Sequence, residues 1–127
     1  MELVVIVIVL ALLEYIYISV QVGRGRGKYE VPAPAMTGHP TFERLYRVQL
    51  NTLEQLIIFL PAIWFFGTYV SAEIAAGLGV VFIVGRFVYL TSYVKDPEKR
   101  TTGFLLTFAS NVILLLGALV GAASKLL

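Results

Sequence analysis

Phe42 to Glu54 reads FERLYRVQLNTLE and, past Gln55, passes directly into LIIFLPAIW from Leu56 to Trp64. The first half is amphipathic and carries charges; the second is wholly apolar, as in a helix that begins in water and ends in hydrocarbon. Thr41 offers a capping oxygen at the start, so the spacing predicts a helix over residues 41–70. Pro61 lies inside it, a position where a membrane helix tolerates a kink when neighbours re-satisfy the freed carbonyl.

Working outward from this stretch, three further runs have the length and apolarity of membrane spans. Residues 2–22 (ELVVIVIVLALLEYIYISVQV) form the first, interrupted by Glu14. Its acidic start and its length exclude a cleaved signal peptide, so it is expected to be a retained span. The segment from Gly23 to Pro40, GRGRGKYEVPAPAMTGHP, reads as a polar loop through which no helix should persist. After a short turn near Ser71, a third helix is expected over 72–94; beyond the KDPEKR stretch from Lys95 to Arg100, a fourth is expected over 101–126. A composition of 58% hydrophobic and 14% charged residues agrees with this reading. In 127 residues, four spans of ~20 residues each leave only short loops. The expected fold is therefore all-α and membrane-integral, a four-helix bundle forming a single domain over 1–127.

The sequence has no cysteine and a net charge of +2. Disulfides, a thiol nucleophile of the chain's own and cysteine-ligated metals are thereby excluded, no metal site is expected, and nothing argues for nucleic acid. Any sulfur chemistry must come with a substrate. Arg24, Arg26 and Lys28 in the first loop and Lys95, Lys99 and Arg100 in the third lie on one side of a four-span protein. The positive-inside rule makes that side cytoplasmic and sends both termini to the opposite face.

Charged and amide side chains inside spans demand an explanation. At ~100° per residue Arg47, Asn51 and Glu54 fall within an arc of roughly 60°, while Gln49 points nearly the opposite way. On the third helix Arg86, Tyr89 and Tyr93 form another stripe, rising toward the loop that holds Arg100. One reading makes these a self-satisfied interhelical network with an interfacial aromatic belt, and makes Arg100, Arg24 and Lys28 snorkelling contacts to lipid phosphates. The other notes that guanidinium, amide, carboxylate and two phenols at one level suit a small zwitterion bearing carboxylates and an amine.

The residues also carry a resemblance. FERLYRVQLNTLE with its apolar continuation is similar to the second-helix signature of the membrane-associated proteins in eicosanoid and glutathione metabolism, the MAPEG family. GRFVYLTSYVKDPEKRTTGF, from Gly85 to Phe104, resembles the third helix and loop of microsomal glutathione transferases and leukotriene synthase. The resemblance covers essentially the whole chain. It implies a homotrimer that binds glutathione as co-substrate at each subunit interface, near the cytoplasmic side. By that resemblance Arg47, Asn51, Glu54, Tyr89 and Tyr93 belong to one subunit's share of the site, Arg26 and Gln49 reach in from the neighbour, and Arg100 is catalytic, holding the glutathione sulfur as thiolate.

Two departures stand out. Gln55 replaces an aromatic residue of leukotriene synthase, and Arg26 is isolated between Gly25 and Gly27. With nothing selecting a particular lipid epoxide, the expectation is a general glutathione S-transferase acting on lipophilic electrophiles, with reduction of lipid hydroperoxides as a second activity and detoxification as its role. The competing classes are a non-catalytic lipid-binding member of the family and a small multidrug or ion transporter. The compact loops and the lack of a targeting extension lead us to expect a bacterial inner membrane rather than the endoplasmic reticulum.

Overall fold

The computed structural model describes residues 1–127 and contains four long helices: α1 (Glu2–Lys28), α2 (Pro40–Tyr69), α3 (Ala72–Lys95) and α4 (Thr101–Ser124). A 3-10 turn over Pro97–Arg100 leads into α4. All four helices are long and apolar enough to cross a membrane. Consecutive helices run in opposite directions, so α1 and α3 are parallel. At the end where α1 and α3 finish and α2 and α4 begin stand all the cations except Arg86 and Lys125.

A bundle in lipid gains little from hiding apolar surface and depends instead on close packing. The buried residues of α1 are Val4, Val7, Ala11, Glu14, Ile18, Val22 and Gly25, spaced three or four apart along one seam. Small residues let that seam close on α3: a Cβ at Gly79 would collide with Val7 and stand 2.8 Å from Ile63 Cδ1. Toward the cationic end Ile18, Val48, Tyr89 and Leu90 form a second buried cluster. Phe59 of α2 stacks on Phe82 of α3 with ring centroids 4.0 Å apart. The outward faces of α1, α2 and α4 stay rich in exposed Leu, Ile, Val and Phe.

Several boundaries differ from the sequence reading. Helix α1 does not stop at Val22 but continues through Gly23, Gly25 and Gly27 to Lys28, which shortens the loop to Tyr29–His39. Each helical glycine costs about 1 kcal/mol relative to alanine. Packing offsets it: Gly25 is buried against α2, where a Cβ would lie 3.1 Å from Leu45 Cδ1 and 3.5 Å from Phe42. Helix α2 is capped not by Thr41 but by His39, whose Nδ1 accepts the Thr41 N–H at 3.1 Å. Pro40, with no N–H of its own, then occupies the first turn. Pro61 leaves α2 unbroken, and α4 ends at Ser124 rather than Leu126.

Candidate active site

The cationic end of the bundle encloses a cleft of about 620 Å³ between α2, α3 and the start of α4. That is within the roughly 300–1,000 Å³ typical of small-molecule sites. Helix α2 supplies Arg47 and Asn51, one turn apart; α3 supplies Tyr89 and Tyr93, again one turn apart; the 3-10 turn supplies Arg100 and α4 supplies Thr101 and Phe104. Two guanidinium groups and no carboxylate line the space, so it favours an anion.

Each wall is held by identifiable contacts. The rings of Tyr89 and Tyr93 stack with centroids 5.4 Å apart. Below them Arg86 is fully buried, with its guanidinium carbon 4.5 Å from the Tyr89 ring centroid. Its Nε donates to Thr107 Oγ1 at 3.0 Å, and its Nη1 donates to Asn51 Oδ1 at 2.8 Å and Thr52 Oγ1 at 3.2 Å. Tyr89 thus shares the cleft with Arg47 and Arg100 and has the Arg86 guanidinium against its ring.

The close approach of α3 and α4 underlies this arrangement. A Cβ on Gly103 would run into the backbone of Tyr89 and lie 2.8 Å from the Gly85 carbonyl oxygen. The turn that aims Arg100 is fixed at its start, where the Asp96 carboxylate accepts the Glu98 N–H at 3.1 Å. At its end Arg100 Nη1 donates to the Pro97 carbonyl at 2.9 Å. Arg44 ties α2 to the end of α3, its Nη1 donating to the Val94 carbonyl at 3.1 Å.

Of the residues singled out from the sequence, the cleft therefore gathers Arg47, Asn51, Tyr89, Tyr93 and Arg100. The other three lie elsewhere within this chain. Glu54 is exposed on α2, one turn beyond Asn51. Gln49 faces α1, its Nε2 donating to Ser19 Oγ at 3.1 Å. Arg26 is engaged with its own loop, Nη1 donating to the Ala35 carbonyl at 2.7 Å and the Val31 carbonyl at 3.2 Å, and its guanidinium lies over the Phe42 ring. Gln55 turns into the bundle, where its Oε1 accepts from Asn111 Nδ2 at 3.0 Å.

The self-satisfied network weighed from the sequence takes a different form. Arg47 and Glu54 make no ion pair, and Asn51 serves Arg86 instead. Thr101, Phe104, Thr52 and Thr107 were missed. A signal for two of them existed: Arg100, Phe104 and Thr107 follow the four-then-three spacing of one helical face.

A polytopic helical membrane protein with a cationic, tyrosine-walled cleft at one end is the class these features define. The profile of the MAPEG family matches residues 4–120, and the chain belongs to that family. It is 51% identical over 87 residues to an uncharacterized protein of Synechocystis sp., covering 68% of this chain and 64% of that one. It is 39% identical over 97 residues to human microsomal glutathione S-transferase 2, covering 76% of this chain and 66% of the relative. Bovine leukotriene C4 synthase is 36% identical over 70 residues, 55% of this chain and 47% of that enzyme. The matches thus span just under two thirds of the first two relatives' length.

Proposed function

We propose that this protein is a membrane-bound glutathione S-transferase. The observation that carries the reading is the cleft itself, where Arg100 and Arg47 converge on the stacked Tyr89 and Tyr93 above Asn51. Similarity to a microsomal glutathione S-transferase supplies the nucleophile's identity. Glutathione fits the donor set: its carboxylates are anions for Arg47 and Arg26, its amine a cation for Glu54, and its thiol lies beside Arg100.

A free thiol with a pKa near 8.5 is mostly protonated at neutral pH, and a permanent adjacent cation in a partly desolvated site favours the thiolate. Arginine fits this role because it stays charged and does not compete as a base. The thiol proton leaves to water. The sulfur lone pair then forms a C–S bond with the electrophilic carbon while the bond to the leaving group breaks, its electron pair departing with that group. A lipophilic electrophile arrives laterally from the bilayer, and holding both reactants in one cleft removes much of the entropic barrier. With a lipid hydroperoxide the thiolate attacks the distal peroxide oxygen; a second glutathione then yields the disulfide, and the products are an alcohol and water.

The chain acts as one domain over 1–127 and assembles as a homotrimer. The cleft has cations but no carboxylate of its own, whereas Arg26 and Gln49 lie on other faces, so an interface between copies completes the site. The cationic end faces the cytoplasm, where glutathione is available, and a bacterial inner membrane is the host. The deciding experiment is the ultraviolet difference spectrum of purified protein with glutathione, beside Arg100→Ala. Thiolate absorbance present in the parent and absent in the variant is expected. Absorbance in neither would leave a lipid-binding role.

A further inference from the structure

The interior holds a polar layer to which every helix contributes. Glu14 comes from α1, Thr52 from α2, Arg86 from α3 and Thr107 from α4, all buried. Two of these groups, Thr52 and Thr107, accept from the Arg86 guanidinium in ways already described. Glu14 has no such place. Both of its carboxylate oxygens lack a hydrogen-bond partner, as does Arg86 Nη2.

The register of the parallel α1–α3 seam brings these two groups to one level. A Cβ on Gly79 would meet Val7, and Ile18 and Leu90 belong to one buried cluster. Seven residues beyond Val7 is Glu14, and seven beyond Gly79 is Arg86; four further on each helix come Ile18 and Leu90. Glu14 therefore faces the level of Arg86, and it is the only carboxylate among the buried residues. A guanidinium stays protonated and cannot shed its charge to escape burial, so a fully buried one requires a counter-charge. No carboxylate lies within ion-pair distance of Arg86, but the two acceptors of Glu14 and the free donor of Arg86 are what one bridging water satisfies.

We propose that Glu14 is a positioning residue for the cleft: across the α1–α3 seam its carboxylate is the counter-charge of Arg86, and it fixes the guanidinium that orients Asn51 and Tyr89. Glu14 itself never touches substrate. Its influence passes through the Arg86 Nη1 bond to Asn51 and the contact of Arg86 with the Tyr89 ring.

The functional readout rests on the glutathione reading; the pairing does not. The first measurement is therefore thermal unfolding in detergent of the parent, Glu14→Gln, Arg86→Gln and the double variant. Removing both charges should cost much less than the two single losses together, and additive losses would overturn the proposal. If Glu14→Gln alone does not fold, recovery of a folded protein in the double variant supports the pairing, and failure to recover overturns it.

The second measurement is glutathione affinity. Glu14→Gln should weaken binding roughly tenfold in the parent and clearly less in an Asn51→Ala background, where only the Tyr89 contact remains, a coupling that a purely structural role would not produce. Equal weakening in both backgrounds, or none in either, would overturn the positioning role. A parent that binds no glutathione sinks the transferase reading while leaving the thermal cycle to decide the pair.

Discussion

Arg86 reaches Asn51 across the α2–α3 seam, Nη1 to Oδ1 at 2.8 Å, so a fully buried cation sets a side chain that lines the cleft. Arg86→Leu would remove the donor to Asn51 Oδ1, Thr52 Oγ1 and Thr107 Oγ1 in one step. Breaking one side of a buried charged network costs about 3–5 kcal/mol. The expected outcome is a sharply lower unfolding midpoint in detergent; a midpoint within a degree or two of the parent would show that the network is dispensable.

Arg100 is exposed and its one hydrogen bond goes to a neighbouring carbonyl, so removing it should leave the bundle folded. Arg100→Ala is expected to lower kcat by roughly 10²–10³, the usual loss of one charge stabiliser in an active site, with oligomeric state unchanged. Steady-state turnover of a chlorinated aromatic electrophile, together with size-exclusion elution, reads both. Undiminished turnover would remove Arg100 from the catalytic role.

Glu54 is likewise exposed and enters no hydrogen bond or ion pair in the structure. Glu54→Gln should change stability by less than about 0.5 kcal/mol. The KM for glutathione should rise roughly tenfold with kcat little altered, as expected when a ground-state contact to a charged amine is lost. If kcat falls while KM holds, Glu54 acts on the chemical step instead.

Gly103 sits where α4 touches the backbone of Tyr89. Gly103→Val would drive α4 away from α3, a form of overpacking that costs about 1–3 kcal/mol. Because the same contact sets the spacing between Arg100 and Tyr89, glutathione affinity should fall alongside the unfolding midpoint. A variant that lost stability but bound normally would show that the cleft tolerates a wider seam.

Much of this arrangement was legible in the sequence because a membrane span announces itself by length and apolarity. The Arg47–Asn51 and Tyr89–Tyr93 stripes follow from helical period alone, and the structure brings both to one cleft. The run from Gly23 to Lys28 misled because glycine propensity is local, whereas the packing of Gly25 on Phe42 and Leu45 belongs to the tertiary structure. Glu54 shares an arc with Asn51 yet lies outside the cleft, since a helical wheel gives direction but not height along the axis. The Arg86 cage was illegible for a related reason. Threonine is common in helices, and only the seams between α2, α3 and α4 decide which hydroxyls meet a guanidinium.

The unbroken 27 residues of α1 rise about 40 Å, well beyond the ~30 Å of a bilayer's hydrocarbon. The overhang carries Arg24 and Lys28 on its outer surface, so those cations act as floats that set how deeply the bundle is immersed. A thicker bilayer draws the mouth of the cleft toward acyl chains, and a thinner one lifts it toward water. Under the transferase reading, bilayer thickness would thereby act as a rheostat on the balance between a water-borne and a lipid-borne reactant, with no side chain changing its conformation.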